Sequence, residues 1–188
     1  MSEGKHRPKP KPAPPNPGPS SGTWFFSPPG CAPGVINALN AAQKSVDIAM
    51  YSFTNAEIAQ AILSVQSRGV PLRIVFDQTE TKDTQAQFYD QFEQAGIPIK
   101  VYSPPGAIMH NKFAVIDLAT VINGSFNWTE AAEHKNYENL QIHVDPTMAA
   151  AYETMFETIW GLAQPEPSSA TDREAARLQR MTLPRHPF

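Results

Sequence analysis

Apolar positions along the middle of the chain switch repeatedly between the period of a strand and the period of a helix. Val46, Ile48 and Met50 alternate strictly, which predicts a strand over residues 45–52. Val35, Ile36, Leu39 and Ala42 recur at helical spacing and predict a helix over 34–43. Ile58, Ile62 and Val65 do the same up to residue 67, with Asn55 as N-cap and Gly69 just past the end. Further helices are predicted over 85–95, closed by Gly96, over 128–133 and over 146–160. Further strands are predicted over 23–27, ended by the Pro28-Pro29-Gly30 turn, and over 70–76, 97–102, 112–116, 120–123 and 140–144. Repeated strand–helix–strand units predict an α/β fold: a mixed, mostly parallel sheet flanked by helices on both faces. The consecutive strands on either side of Asp117 add an antiparallel part.

Outside this alternating region the pattern stops. Residues 1–22 alternate Pro with Lys, Ala and Asn and have almost no apolar surface to bury, so they read as a disordered, extended tail whose Lys5, Arg7, Lys9 and Lys11 suit acidic surfaces. Residues 164–188 read as a second tail, with an Arg-rich helix possible over 172–181. One catalytic domain is therefore expected over 23–163. Cys31 is the single cysteine and cannot form an internal disulfide; it reads as a small buried hydrophobe. No apolar run reaches the ~20 residues of a membrane span and no signal-peptide core follows Met1. That makes cytoplasmic the default location, with a periplasmic or secreted one if an upstream segment has been removed. The net charge of −3 excludes a broadly basic surface, so any grip on a polyanion must be local.

The run from His110 to Asp117, followed by Gly124-Ser125-Phe126-Asn127, sets polar and glycine positions among apolar ones in a way that core burial does not require. Side chains two apart on a strand share a face, so His110 and Lys112 point together. Asp117, at odd separation, points away and is expected to fix local architecture. Gly124 would leave room for substrate, while Ser125 and Asn127 could present a hydroxyl and an amide to phosphate oxygens, or serve as turn and N-cap residues. Tyr51, Phe53, Trp128 and Tyr137 lie near this run in sequence; core packing is their default, and base stacking the sharper reading. Asp77 reads as a loop cap, and residues 103–108 as a stiff wall beside His110.

His110, Lys112, Asp117, Gly124, Ser125 and Asn127 reproduce the H-x-K-x4-D-x6-G-S-x-N pattern of the phospholipase D superfamily. The chain resembles in particular its short bacterial endonucleases of the Nuc type. Tyr51-Ser52-Phe53-Thr54 and the segment from Lys135 to Asn139 extend the likeness, which covers residues 24–160. The resemblance implies a catalytic set of His110, Lys112, Asp117 and Glu138, with Lys112, Ser125 and Asn127 on the substrate phosphate and Glu138 orienting the histidine. It also implies two histidines per reaction. Larger members carry two copies of the pattern and this chain carries one, so the active form is expected to be a homodimer sharing one site across its two-fold axis. No cofactor and no metal ion are expected. The expected reaction is phosphodiester hydrolysis through a phosphohistidine, on DNA or RNA; a phospholipid such as cardiolipin, or phosphate binding without turnover, are the alternatives.

Overall fold

The computed structural model describes residues 21–78, 84–104 and 106–165, together with Ala175 and Leu178. The N-terminal tail up to Ser20, and the C-terminal tail beyond Pro165 with its expected helix, fall outside the described residues apart from those two positions. In chain order the elements are β1 (Ser21–Ser27), α1 (Cys31–Ala41), β2 (Val46–Met50), α2 (Ala56–Ser67), β3 (Leu72–Asp77), α3 (Thr84–Gln94), β4 (Ile99–Tyr102), β5 (Lys112–Ile116), β6 (Thr120–Gly124), α4 (Glu130–His134), β7 (Glu138–Val144) and α5 (Pro146–Leu162). Every element expected between residues 23 and 160 is present, displaced at its ends by a few residues.

Helix α1 starts at Cys31 rather than Gly34, and the reason lies a hundred residues away. Gly30 offers no side-chain cap. Instead the buried carboxylate of Glu133, on α4, accepts the N–H groups of Gly30 at 2.8 Å, Cys31 at 3.1 Å and Ala32 at 2.9 Å. An anion at a helix N-terminus satisfies orphan donors and meets the positive end of the dipole. Helix α2 begins as expected, with the Asn55 side chain accepting the N–H of Ile58 at 2.9 Å. Cys31 is fully buried, and that burial pushes its thiol up to about 11.

The strands form one sheet in the order β1-β7-β6-β5-β2-β3-β4. Pairs β2–β3 and β3–β4 are parallel, whereas β1–β7, β7–β6, β6–β5 and β5–β2 are antiparallel. The sheet is mixed, with the balance set by interleaving. Five strands run in one direction, but β5 and β7 are inserted against them, so antiparallel neighbours outnumber parallel ones four to two. One consequence governs everything that follows. The C-terminal ends of β2, β3 and β6 and the N-terminal ends of β5 and β7 all meet at the same end of the sheet.

Two apolar layers hold the sheet between helices. On one face Val46, Ile48, Ala114 and Ile122 pack with Leu39, Ile58, Ile62 and Phe92 from α1, α2 and α3. Phe53 is central here, its ring meeting those of Phe76, Phe88, Phe92 and Trp128 edge-on. On the other face Ala49, Val75, Phe113, Val115 and Val121 pack with Ala149, Phe156 and Ile159 of α5. No helix among the described residues is long and apolar enough to cross a membrane.

A charged cluster sits beneath α5. Arg73 on β3 donates to Asp47 on β2 at 2.6 Å, and to Glu157 at 2.8 Å and Glu153 at 3.2 Å on α5, with its guanidinium over the rings of Phe156 and Trp160. Three carboxylates surround one cation, so the negative charges outnumber the positive one and repel each other. Burial, and then the neighbouring Asp47, push the Glu153 carboxyl above its ordinary value of 4.5. A raised folded-state pKa gives stability that is complete below the unfolded value and is lost as pH rises through the folded one. Glu153→Gln keeps an oxygen for Arg73 and removes the surplus charge. Thermal unfolding at pH 8 should therefore shift upward by about 2–4 °C in this variant, and the advantage should vanish near pH 4.

Candidate active site

The site forms where the ends of five strands meet. His110 lies just ahead of β5, Lys112 opens it, Gly124 ends β6 with Ser125 and Asn127 following, Glu138 opens β7, Tyr51 follows β2, and Asp77 ends β3. His110 is exposed and Lys112 buried. The Lys112 ammonium donates to the backbone carbonyl of His110 at 2.7 Å and stands 4.7 Å from the centroid of the Tyr51 ring. That ring also meets the imidazole of His110, with centroids 4.6 Å apart and planes at 60°. Imidazole and ammonium thus share one aromatic neighbour, whose negative π face favours a cation beside it.

The loop bearing His110 is anchored on both sides. Asp77, fully buried, accepts the N–H of Met109 at 2.6 Å. The carbonyl of Asn111 accepts the N–H of Tyr51 at 2.9 Å. Neither Tyr51 nor Asp77 belongs to the six-residue pattern. The only sequence signal for Asp77 is a carboxylate closing an apolar run; Tyr51 is marked by its place after an alternating strand and by the family likeness of the segment it opens.

Asp117 lies at the opposite end of β5 from His110. Its carboxylate accepts the N–H groups of Gln43 at 3.1 Å, Lys44 at 2.6 Å and Ser45 at 3.0 Å, tying the loop before β2 to the β5–β6 hairpin. Burial works to raise its pKa, but those backbone donors outweigh it and hold the carboxyl below its ordinary 3.8. Asp117 (φ 56) and Leu118 (φ 53) are the central residues of a turn closed by Ala119 N–H to Ile116 carbonyl at 3.1 Å. Positive φ at both positions defines the type I′ hairpin turn, in which Asp is well tolerated. This residue holds architecture and stands away from the imidazole.

Gly124 also does something other than leave room for substrate. Its φ is +151, and an added Cβ would run into the carbonyl oxygen of Asn139. That oxygen accepts the N–H groups of Ser125 at 3.1 Å and Phe126 at 3.3 Å. The glycine lets β6 press against the backbone of β7 and delivers Ser125 to Glu138.

The Ser125 hydroxyl donates to Glu138 Oε2 at 2.5 Å and accepts the N–H of Asn139 at 3.1 Å. A serine has one hydroxyl proton, and here it goes to Glu138. The other carboxylate oxygen accepts from the Asn136 side chain at 3.4 Å. Asn127 has its side-chain oxygen buried without a hydrogen-bond partner. Thr129, not Asn127, caps α4, its hydroxyl accepting the N–H of Ala132 at 3.1 Å.

With this geometry in place, comparison with known proteins is informative. Residues 35–160 match the family model described as "Cardiolipin synthase, PLD-like domain". The chain belongs to the phospholipase D superfamily. The chain is 35% identical over 127 residues to the mitochondrial cardiolipin hydrolase of Chlamydomonas reinhardtii, covering 68% of this chain and 56% of that one. It is 35% identical over 130 residues to the phospholipase D of Rickettsia conorii, covering 69% and 64%. The chain thus spans less than two thirds of the length of these curated relatives. Among solved structures it resembles Nuc from Salmonella typhimurium, with a TM-score of 0.74, 30% identity and coverage of 78% of this chain and 97% of that one. It also resembles NucT from Helicobacter pylori, with a TM-score of 0.70, 26% identity and coverage of 78% and 99%.

The shared Tyr51 ring carries a prediction about this phospholipase D-like site. Tyr51→Phe keeps the aromatic face and should hydrolyse bis(p-nitrophenyl) phosphate within about threefold of the unaltered protein. Tyr51→Leu removes the face and should lower kcat by about tenfold, with the circular dichroism spectrum unchanged.

Proposed function

We propose that the protein is a metal-independent phosphodiesterase, an endonuclease acting on DNA or RNA with little sequence preference, whose active form is a homodimer. The observation that carries this reading is the exposed His110 imidazole beside the buried Lys112 ammonium, both against Tyr51, on a loop anchored at Met109 and Asn111. An exposed imidazole is free to approach phosphorus, and imidazole chemistry suits both nucleophilic attack and proton transfer.

The reaction proceeds in two displacements. Neutral His110 of one protomer attacks phosphorus in line, forming a P–N bond as the P–O bond to the leaving group breaks. The departing oxygen takes a proton from the imidazolium of the second protomer's His110. That imidazole, now neutral, takes a proton from water as the water oxygen attacks the phosphohistidine, and the P–N bond breaks. Lys112 of each protomer stabilises charge building on the phosphoryl oxygens, the role a preorganised cation performs best in a site with little water. In this reading the side-chain N–H of Asn127 is a further phosphate contact. Ser125 can join it by exchanging its Glu138 partner for a phosphate oxygen. In this reading Glu138, which Ser125 and Asn136 hold by hydrogen bonds, orients an imidazole and stabilises its charged form, as a triad carboxylate does.

Nucleic acid is the favoured substrate because the likeness to Nuc and NucT spans nearly the whole of those short chains. A phospholipid is the second reading, supported by curated relatives named phospholipase D and mitochondrial cardiolipin hydrolase. Plasmid, single-stranded DNA, RNA and cardiolipin vesicles, each incubated with the protein and with His110→Ala in EDTA, separate these readings. We expect nucleic acid cleavage that survives EDTA and falls by about a thousandfold or more in the variant. Loss on chelation with rescue by Mg²⁺ refutes metal independence. Hydrolysis of cardiolipin with nucleic acid left intact moves the reading to lipid.

Sharing the site across two protomers makes activity depend on concentration. Specific activity should fall on dilution in step with dissociation of the dimer, followed by sedimentation. A fully active monomer at micromolar concentration refutes the shared site.

A further inference from the structure

We propose that Asp77 is a positioning residue for the reaction: its carboxylate, by holding the N–H of Met109, sets where the His110 imidazole stands against phosphorus. This inference rests on the phosphodiesterase reading of the site and adds to it a residue outside the six-residue pattern. Asp77 and Met109 are buried, at 0% and 3% exposure, whereas the next residue, His110, is exposed.

The register shows how far the chain travels to make this contact. Met50 pairs with Lys112 on one side and with Phe76 on the other, so Tyr51 lies level with Asn111 and with Asp77. The bond from the Tyr51 N–H to the Asn111 carbonyl continues the first pairing. Strand β2 thus stands between Asp77 and Asn111, and two strand spacings, about 10 Å, separate their backbones. An aspartate side chain does not span that distance. Because the Met109 N–H lies within 2.6 Å of Asp77 Oδ2, the chain ahead of Asn111 bends across the end of β2 to reach β3. Met109 arrives on the α5 side of the sheet, packed in the layer with Ala49, Val75 and Phe113. Asp77, two residues after Val75, shares that side, while Lys112, next to Phe113, faces the other. The chain passes from one side of the sheet to the other between Met109 and Lys112, and His110 is carried on that crossing.

A buried N–H on such a crossing must find an acceptor or forfeit the hydrogen bond it made to water. Asp77 supplies that acceptor. Downstream the main chain is held again, by the Lys112 ammonium on the His110 carbonyl at 2.7 Å and by the Tyr51 N–H on the Asn111 carbonyl at 2.9 Å. With the backbone fixed on both sides of its Cα, His110 keeps only its side-chain torsions. Those torsions serve in-line approach, and Asp77 sets the origin from which they swing. Attack needs reacting atoms ~3–3.5 Å apart, and a misplacement of ~1 Å costs about a hundredfold in rate. The Met109 side chain is the weaker anchor, because a flexible thioether fills gaps of many shapes and tolerates a displaced backbone. The directional contact is the hydrogen bond to Asp77.

Three full-chain variants test this by hydrolysis of bis(p-nitrophenyl) phosphate, each assayed below its own unfolding transition as followed by circular dichroism. Asp77→Asn keeps an acceptor oxygen at the same reach, so kcat should stay within about threefold of the unaltered protein. Asp77→Glu keeps the charge but carries the acceptor about an ångström further, and should lower kcat by about tenfold. Asp77→Ala removes the acceptor and should lower kcat by about a hundredfold. KM should change by less than about threefold throughout. Hydrogen exchange at the Met109 amide should be slow in the unaltered protein and in Asp77→Asn, and fast in Asp77→Ala. An Asp77→Glu protein more active than Asp77→Asn overturns the inference, since charge and not position then matters. So does a loss carried by KM, or a folded Asp77→Ala protein with full activity. If Asp77→Ala does not fold, the order of the Asn and Glu variants decides. Failure of the underlying reading shows elsewhere, in a His110→Ala protein that hydrolyses the ester as fast as the unaltered one.

Discussion

Strand β5 is pinned at both ends by carboxylates, and the site depends on that double constraint. At one end Asp117 gathers three backbone N–H groups from the loop before β2; at the other, Asp77 takes the N–H of Met109. Hydrogen bonds to a charged acceptor contribute about 1.5–3 kcal/mol each when sheltered from water, and less where exposed. The strand cannot slide along β2 without breaking one set or the other. A slip of one residue would also turn Lys112 from its face of the sheet to the opposite one. Fixing the register of β5 therefore fixes where the ammonium and imidazole stand.

The reversed direction of β5 and β7 supplies the rest. In a purely parallel sheet, residues opening a strand lie at the end opposite those closing its neighbours. Here His110 and Glu138 open their strands beside Tyr51, Asp77 and Ser125, which follow or close theirs. Groups far apart in sequence are thus brought to one rim without long loops. Gly124 completes the arrangement by letting the backbones of β6 and β7 approach until Ser125 meets Glu138. Strand ends and one anchored loop carry these side chains, which suits a reaction that relies on donors placed in advance.

Much of this was legible in the sequence, for physical reasons that vary by residue. Alternation at Val46, Ile48 and Met50, and helical spacing at Ile58, Ile62 and Val65, report burial on one face and so locate elements well. Parity along a strand set Asp117 apart from His110 and Lys112, but the separation comes from the length of β5, since Asp117 sits in the positive-φ turn past its far end. Long-range partnerships leave no periodic trace. Nothing local to Cys31 announces that Glu133 caps its helix, or that Asp77 holds the residue before His110. Tyr51 looked like another core aromatic because cation–π contact and core packing use the same side chain. The direction of β7, and the pairing of β1 with it, depend on crossovers that spacing does not encode. Gly124 was read as space for a substrate, when the close neighbour is the chain's own backbone.

The central claim is that the His110 imidazole forms a covalent bond to phosphorus. Reaction with a ³²P-labelled phosphodiester, quenched in alkali during turnover and digested to peptides, tests it most directly. The account predicts label on the peptide containing His110, stable in base and released by acid. Rapid turnover with no label on the protein, or label on a different residue, would contradict it.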